Sequence, residues 1–376
     1  MKNILLTVSI VLLTLPIGAS AQKMKIGNYT FKDGSVYTGE IVGGKPHGKG
    51  KAVFPKGDTY EGNYVKGKRQ GYGVYSFPDG EKYEGEWFQD QQHGHGTYYF
   101  MNNNRYEGLW YRDYQQGQGK MIYYNGDIYT GEWYQDKREG KGKYVYANGA
   151  YYDGQWKDDK KSGKGVFVWA DGSKYKGDWA NNQRNGRGSF FYTDGDVYDG
   201  DWVDDIQQGR GIYRFKNGNV YEGPYMQGER TGQGIFTFEN GNKYVGGFVN
   251  GEQSGQGTYT WKNGSQYVGE WKNNQRDGEG KYTWANGDVY EGQWSKGKMN
   301  GMGILHMTNG NKFKGIFKNG LKDGKCVEED KDGVHFEGAY KDGVRDGSFV
   351  EKDRNGTILR KGTYEHGQPV LDNSQN

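Results

Sequence analysis

Residues 267–288 read YVGEWKNNQRDGEGKYTWANGD, and this stretch decides the fold. It opens on Tyr267-x-Gly269-x-Trp271, a Y-x-G-x-W anchor. The first aromatic of that anchor, or of a close variant, recurs at Tyr37, Tyr60, Tyr83, Tyr106, Tyr129, Tyr152, Tyr175, Tyr198, Tyr221, Tyr244, Tyr267, Tyr290, Phe313 and Phe336. Every step is 23 residues, without insertion or deletion across fourteen units. A fixed period of this length marks a repeat architecture. Counting from each anchor aromatic as offset 0, a glycine stands at offset 2 in every unit. A G-x-G pair follows at offsets 11 and 13, as in Gly278 and Gly280, and fails only at Cys326 and Phe349. An Asn-Gly, Asp-Gly or similar turn lies at offsets 19 and 20, as in Asn148-Gly149 and Asp194-Gly195, with Asn102-Asn103 as a substitute. A fifteenth, degraded unit starts near Arg360-x-Gly362-x-Tyr364, one residue late.

Each unit therefore reads as two short strands. The first carries the anchor. The second runs from G-x-G into apolar residues such as Tyr282 and Trp284. A loop of about six residues joins them, and the Asn-Gly turn leads into the next unit. Short consecutive strands with tight turns give an antiparallel meander. Offsets 0, 2 and 4 share one face of the first strand, because side chains alternate. A three-residue connection with glycine in a left-handed bulge brings the aromatics of both strands to that same face. Under it Tyr282 lies across from Tyr290, Gly280 from Gly292 and Gly278 from Trp294. The expected fold is all-β: an elongated, twisted single-layer antiparallel meander of tandem 23-residue β-hairpins.

Composition agrees. The 376 residues include 67 Gly, 33 Tyr, 16 Phe and 11 Trp, but only six Pro. Glycine is without the three-residue period of collagen. Leu, Ile and Val are too few for a large globular core, which excludes helical bundles and Rossmann-type enzymes. A net charge of +3 gives no bulk electrostatic case for nucleic acid.

The pattern resembles the MORN (membrane occupation and recognition nexus) repeat family, whose unit reads roughly YEGEWKNGKRHGKGTYTWANGD. Tyr83-Glu84-Gly85-Glu86-Trp87 and the stretch from Gly278 to Asp288 match it closely. The resemblance covers residues 32 to 350, with 14–15 tandem repeats. The last units, Cys326 to Gly367, more distantly resemble a divergent MORN variant of bacterial proteins related to antitoxin components. MORN repeats also accompany the kinase domain of plant-type phosphatidylinositol phosphate kinases; this chain resembles their repeat region only. The family implies protein–protein or membrane-associated assembly roles, sometimes as elongated homodimers.

Residues 1–21 read as a signal peptide. Lys2 precedes an apolar run from Ile4 to Ile17, and Ala19-Ser20-Ala21 is a small-x-small cleavage site. The expectation is export, periplasmic or secreted, after cleavage near Ala21. Residues 22–31 read as an N-terminal cap strand, 32–340 as the repeat array, and 341–376 as degenerate repeats, cap and tail. Val327-Glu328-Glu329-Asp330 replaces an apolar strand, so the aromatic face is expected to end there. Open sheet edges favour end-to-end association, here a homodimer.

No motif carries chemistry beyond the repeat. The G-x-G pairs lack a βαβ context. His93-x-His95 has no third ligand nearby, and the cluster Asp194, Asp196, Asp199 and Asp201 is mainly turn sequence. Cys326 has no catalytic signature. The expectation is a non-enzymatic scaffold with no cofactor and no metal, whose partner is a protein or envelope component. Two alternatives stand beside it. Offsets 0 to 4 are net acidic and offsets 5 to 13 net basic, so a basic loop edge could meet anionic lipid. Exposed rings could stack on cell-wall polysaccharide. The candidate surface comprises Tyr83, Trp87, Tyr106, Trp110, Tyr129, Trp133, Tyr152, Trp156, Tyr175 and Trp179, with Lys137, Arg138, Lys160 and Lys161.

Overall fold

The computed structural model describes residues 23–371. The signal-peptide reading and the last five residues lie outside them. All described secondary structure is β-strand, and the chain divides into two compact units at Ala147/Asn148. Within each, strands pair antiparallel with their sequence neighbours.

One repeat of the second unit shows the rule. Strand Gln266–Lys272 pairs with Gln275–Thr283, which pairs with Val289–Ser295. Between repeats, Gly278 faces Trp294, Gly280 faces Gly292 and Tyr282 faces Tyr290, the register read from sequence. The connection is the three-residue one. The Trp284 N–H donates to Asp288 O at 2.9 Å, and the Gly287 N–H donates to Trp284 O at 2.9 Å. Gly287 has φ +94°, which glycine adopts without a Cβ penalty. The first unit repeats this at Phe77–Glu81 around Gly80.

The connection inside the repeat corrects the sequence reading. No six-residue loop exists there. Asn273 and Asn274 form a two-residue turn with φ of 49° and 64°, a type I′ hairpin. The second strand starts at offset 8, well before G-x-G. A bulge between Gly269 and Trp271 absorbs two extra residues on the opposite strand, so Trp271 faces Arg276 and Gly269 faces Gly280. The alternation carries through it, with Arg276 on the same face as Tyr282, but the strand before the bulge is polar and carries no ring, which hides its start in the sequence.

The core is the aromatic face itself. Tyr60, Tyr83, Tyr106, Tyr175 and Tyr267 are fully buried. Each lies edge-to-face between two rings. Tyr175 sits 5.2 Å from Trp179 of its own repeat and 5.5 Å from Trp202 of the next. T-shaped pairs at this separation are the favoured aromatic geometry. A single-layer sheet thus covers one face with its own side chains. Nor does that face end near Asp330. Glu328 takes the place of a ring, but it accepts from Tyr340 Oη at 2.5 Å and Arg345 Nη2 at 2.7 Å. Arg345 lies 3.8 Å over Phe336, and the stack continues through Phe349 and Tyr364, all three rings buried.

Candidate binding surfaces

The ten ring residues singled out from sequence form the core, not a surface. Tyr83, Tyr106, Tyr129, Tyr152 and Tyr175 are 0% exposed, and Trp87, Trp110, Trp133, Trp156 and Trp179 are 5–6% exposed. The cause is the glycine at offset 13. A Cβ on Gly73 would lie 2.2 Å from Tyr60 Oη, so only glycine lets the ring lie flat on the strand. The hydroxyl then reaches past the strand: Tyr175 Oη donates to Asp178 O at 3.0 Å. Desolvation pushes these phenols up, to about 12 at Tyr37, Tyr221 and Tyr244.

The four basic candidates split. Lys137 and Lys160 are exposed beside the type I′ turns. Arg138 stacks on Tyr129 and Tyr144 at 5.7 and 5.5 Å. Lys161 lies 4.5 Å over Trp179 and 4.7 Å over Phe167. Burial among these rings lowers its ammonium to about 8. Offset 9 is thus a cation slot on the ring stack. Arg69, Arg184 and Arg276 occupy it 4.2–4.3 Å over the next repeat's Trp. The expected basic loop edge is therefore partly dissolved: a two-residue turn replaces the loop, and two of the four basic candidates, Arg138 and Lys161, are folded onto the aromatic face.

Sequence reading also missed a clasp between repeats. The Arg184 backbone N–H and its Nε each donate to Asp205 Oδ1 at 2.9 Å, while the Asp205 N–H donates to Arg184 O at 3.1 Å. Arg69 and Asp90 repeat the arrangement. At the Lys161 position the partner is Asn182, which accepts only from the backbone N–H at 2.8 Å. The signal was present as a basic residue at offset 9 and Asp or Asn at offset 7 of the next unit.

The opposite face carries the open space. Gly–Gly pairs such as Gly211 with Gly200 form its floor, and offsets 1, 3, 12 and 14 its walls. The described grooves all lie there. One of about 540 Å³ is walled by Arg187, Asp199, Arg210, Glu222, Ile235 and Val245. Another, of about 580 Å³, includes Tyr72, Glu84, His95, Glu107, Gln118 and Lys120. The acidic row at offset 3 is largely engaged. Glu40, Asp178 and Asp201 accept the backbone N–H groups of Lys49, Arg187 and Arg210 at 2.6–3.0 Å, closing the bulge. Ion pairs such as Lys164–Asp178 and Lys281–Glu291, both at 2.7 Å, cross the same face.

Among the described residues, no three His, Cys, Asp or Glu side chains gather to hold a metal. His93 packs between Phe88 and Tyr111. Cys326 fills the glycine slot, where burial pushes its thiol up to about 11. It is a packed thiol at neutral pH, not a thiolate nucleophile.

Fold and faces together define a tandem β-hairpin repeat protein, in which each 23-residue unit buries its rings against the next. The MORN repeat model matches thirteen consecutive copies from residue 37 to residue 334, and the chain belongs to that family. No curated protein matches the sequence. Among solved structures, the SAS-4 TCP domain of Drosophila melanogaster, in complex with a proline-rich motif of Ana2, is 19% identical. That match covers 40% of this chain and 83% of the other, with a TM-score of 0.28. The TCP10 domain of Danio rerio CPAP is 12% identical, over 58% and 98% of the two chains, with a TM-score of 0.23. A streptogramin B lyase is 11% identical over 81% and 92%, with a TM-score of 0.13. Likenesses this slight bear on neither fold nor activity.

Proposed function

We propose that the chain is an exported, non-enzymatic scaffold that holds a protein partner along its glycine-pair face. The supporting observation is the contrast between the two faces. Ring, glycine and tyrosine hydroxyl repeat nearly unchanged on one face, where they fill their own space. On the other, the groove walls change from repeat to repeat: Thr38 and Lys49 in one, Glu84 and His95 in another, Val245 and Gln256 in a third. A face that varies on an invariant frame presents a long series of distinct small contacts, which add when one partner spans several of them.

Burial of the ten rings weighs against polysaccharide stacking, since a sugar needs an open ring face. Lipid binding keeps only the exposed lysines, such as Lys137 and Lys160. The test is crosslinking of residues 22–376 in a cell-envelope extract at low and high salt. Capture of one dominant protein that survives salt, and is lost in the double variant Ile235→Lys, Val245→Lys, supports the scaffold. Capture of anionic lipid or glycan alone replaces it.

A further inference from the structure

On the glycine-pair face of the second unit, several cations meet a carboxylate on the neighbouring strand. Lys164 faces Asp178, Arg187 faces Asp201 and Lys281 faces Glu291. All three pairs lie within ion-pair distance.

A groove toward the C-terminal end of the unit departs from this pairing. It lies over strands Lys298–His306, Lys312–Lys318, Leu321–Glu329 and His335–Lys341 and measures about 640 Å³. Here Lys314 stands between Ile304 and Val327, its opposite residues on the two flanking strands. Lys325 faces Ala339, and Met302 faces Ile316. The acids next along the row are engaged elsewhere. Glu291, facing Ile304, is held by Lys281 at 2.7 Å, and Glu337, facing Val327, is held by Lys352 at 2.8 Å. Both Lys314 and Lys325 are exposed, and neither has an ion-pair partner among the described residues. The apolar side chains around them are open as well: Met302 is 48% exposed, Val327 43% and Ile316 38%.

We propose that this groove takes a peptide segment of the partner in which carboxylates are flanked by apolar side chains. The inference rests on the glycine-pair face being the one that holds a protein, and it names the groove and the chemistry of the segment. Strands lie about 4.8 Å apart, so Ile304, Lys314 and Val327 form one short row across them. A free anion would meet the ammonium and leave the apolar flanks in water. A segment carrying both groups removes the apolar area from water and supplies the missing counter-charge. The ion pair gains from the same cover, because a charge-assisted hydrogen bond strengthens where water is excluded. The groove beside Val245 sets no such preference, since Asp199 and Glu222 stand there with Arg187 and Arg210. A partner lying along the second unit is therefore held with its acidic, apolar segment at the C-terminal groove, which fixes its direction.

Fluorescence anisotropy on residues 22–376 tests this with a labelled heptapeptide of alternating leucine and glutamate. That peptide should bind. Replacing its glutamates by lysine, or its leucines by serine, should weaken binding at least tenfold. The double variant Lys314→Glu, Lys325→Glu should weaken it at least tenfold with an unchanged melting curve. Lys216→Glu, Lys262→Glu makes the same change in net charge away from the groove and should leave binding unaltered, as should Ile235→Lys, Val245→Lys. Equal loss in the Lys216, Lys262 variant overturns the proposal, because bulk charge then explains the binding. Equal binding of the lysine peptide overturns it too. So does binding to phosphatidylserine vesicles with none to the peptide, which makes the occupant a lipid surface. Peptide binding without capture of any envelope protein faults the scaffold reading alone, and capture without peptide binding faults this one alone.

Discussion

Tyr60 Oη lies 2.2 Å from the point where a Cβ on Gly73 would stand, and the nearest carbon of the ring is scarcely further. The three nearest atoms all belong to the buried Tyr60 phenol, with no flexible chain end to give way. Gly73→Ala should therefore lift the ring off the strand and cost about 1–3 kcal/mol, the usual range for overpacking. In a repeat array the damage stays with the adjoining repeats. Hydrogen exchange should rise at residues 60–99 and remain unchanged beyond them. An unchanged melting curve for Gly73→Ala would remove the glycine from the packing account.

The Arg184–Asp205 clasp predicts a second effect. Asp205→Ala removes the acceptor of two N–H groups while the guanidinium stays over Trp202. A loss of about 1–2 kcal/mol is expected for hydrogen bonds to a charged group at a partly exposed site. Urea unfolding of the variant measures it, and Asp90→Ala should behave alike through Arg69.

Lys161 occupies the same slot without a carboxylate opposite, and its ammonium is lowered to about 8. The folded state binds this proton less tightly than the unfolded chain, whose lysines titrate near 10.4. Burial of the charge thus destabilises fully below pH 8, and the cost lifts as pH rises from about 8 to about 10.4. Asn182→Asp should supply the missing partner. The variant is expected to be more stable than the parent below pH 8, with the gap narrowing toward pH 10. Thermal melts across that range check it, and a gap independent of pH would exclude Lys161 as the cause.

Alkaline unfolding should follow the tyrosines. Tyr37, Tyr221 and Tyr244 are raised to about 12 by desolvation. A phenol raised on folding stabilises the native state below its unfolded value near 10 and loses that contribution as pH climbs through the folded value. The repeats should resist to pH 10 and then lose stability steeply toward pH 12. Phenolate absorbance near 295 nm and circular dichroism should change together. Ionisation of the full tyrosine complement below pH 10.5 in a folded chain would contradict the burial.

Sequence alone determined the repeat, its phase and the three-residue turn, because a 23-residue period with glycine at fixed offsets leaves one register that seats rings on glycines. Gly280 opposite Gly292 and Tyr282 opposite Tyr290 were legible for that reason. The two-residue turn at Asn273-Asn274 was not, because the strand that follows opens on Gln275 to Glu279, polar residues and a glycine with no ring to mark a strand. Tertiary structure alone decided which side of the sheet is open. Trp87 and Trp179 look in sequence like rings offered to a ligand, yet their neighbours one repeat away close over them. Lys161 and Arg184 look like surface charge, yet stack on those rings. These contacts join residues in different repeats, and a pattern that describes one repeat at a time cannot hold them. The grooves beside Val245 and His95 follow from the same cause, since the side chains left over when the rings have packed are the ones free to meet a partner.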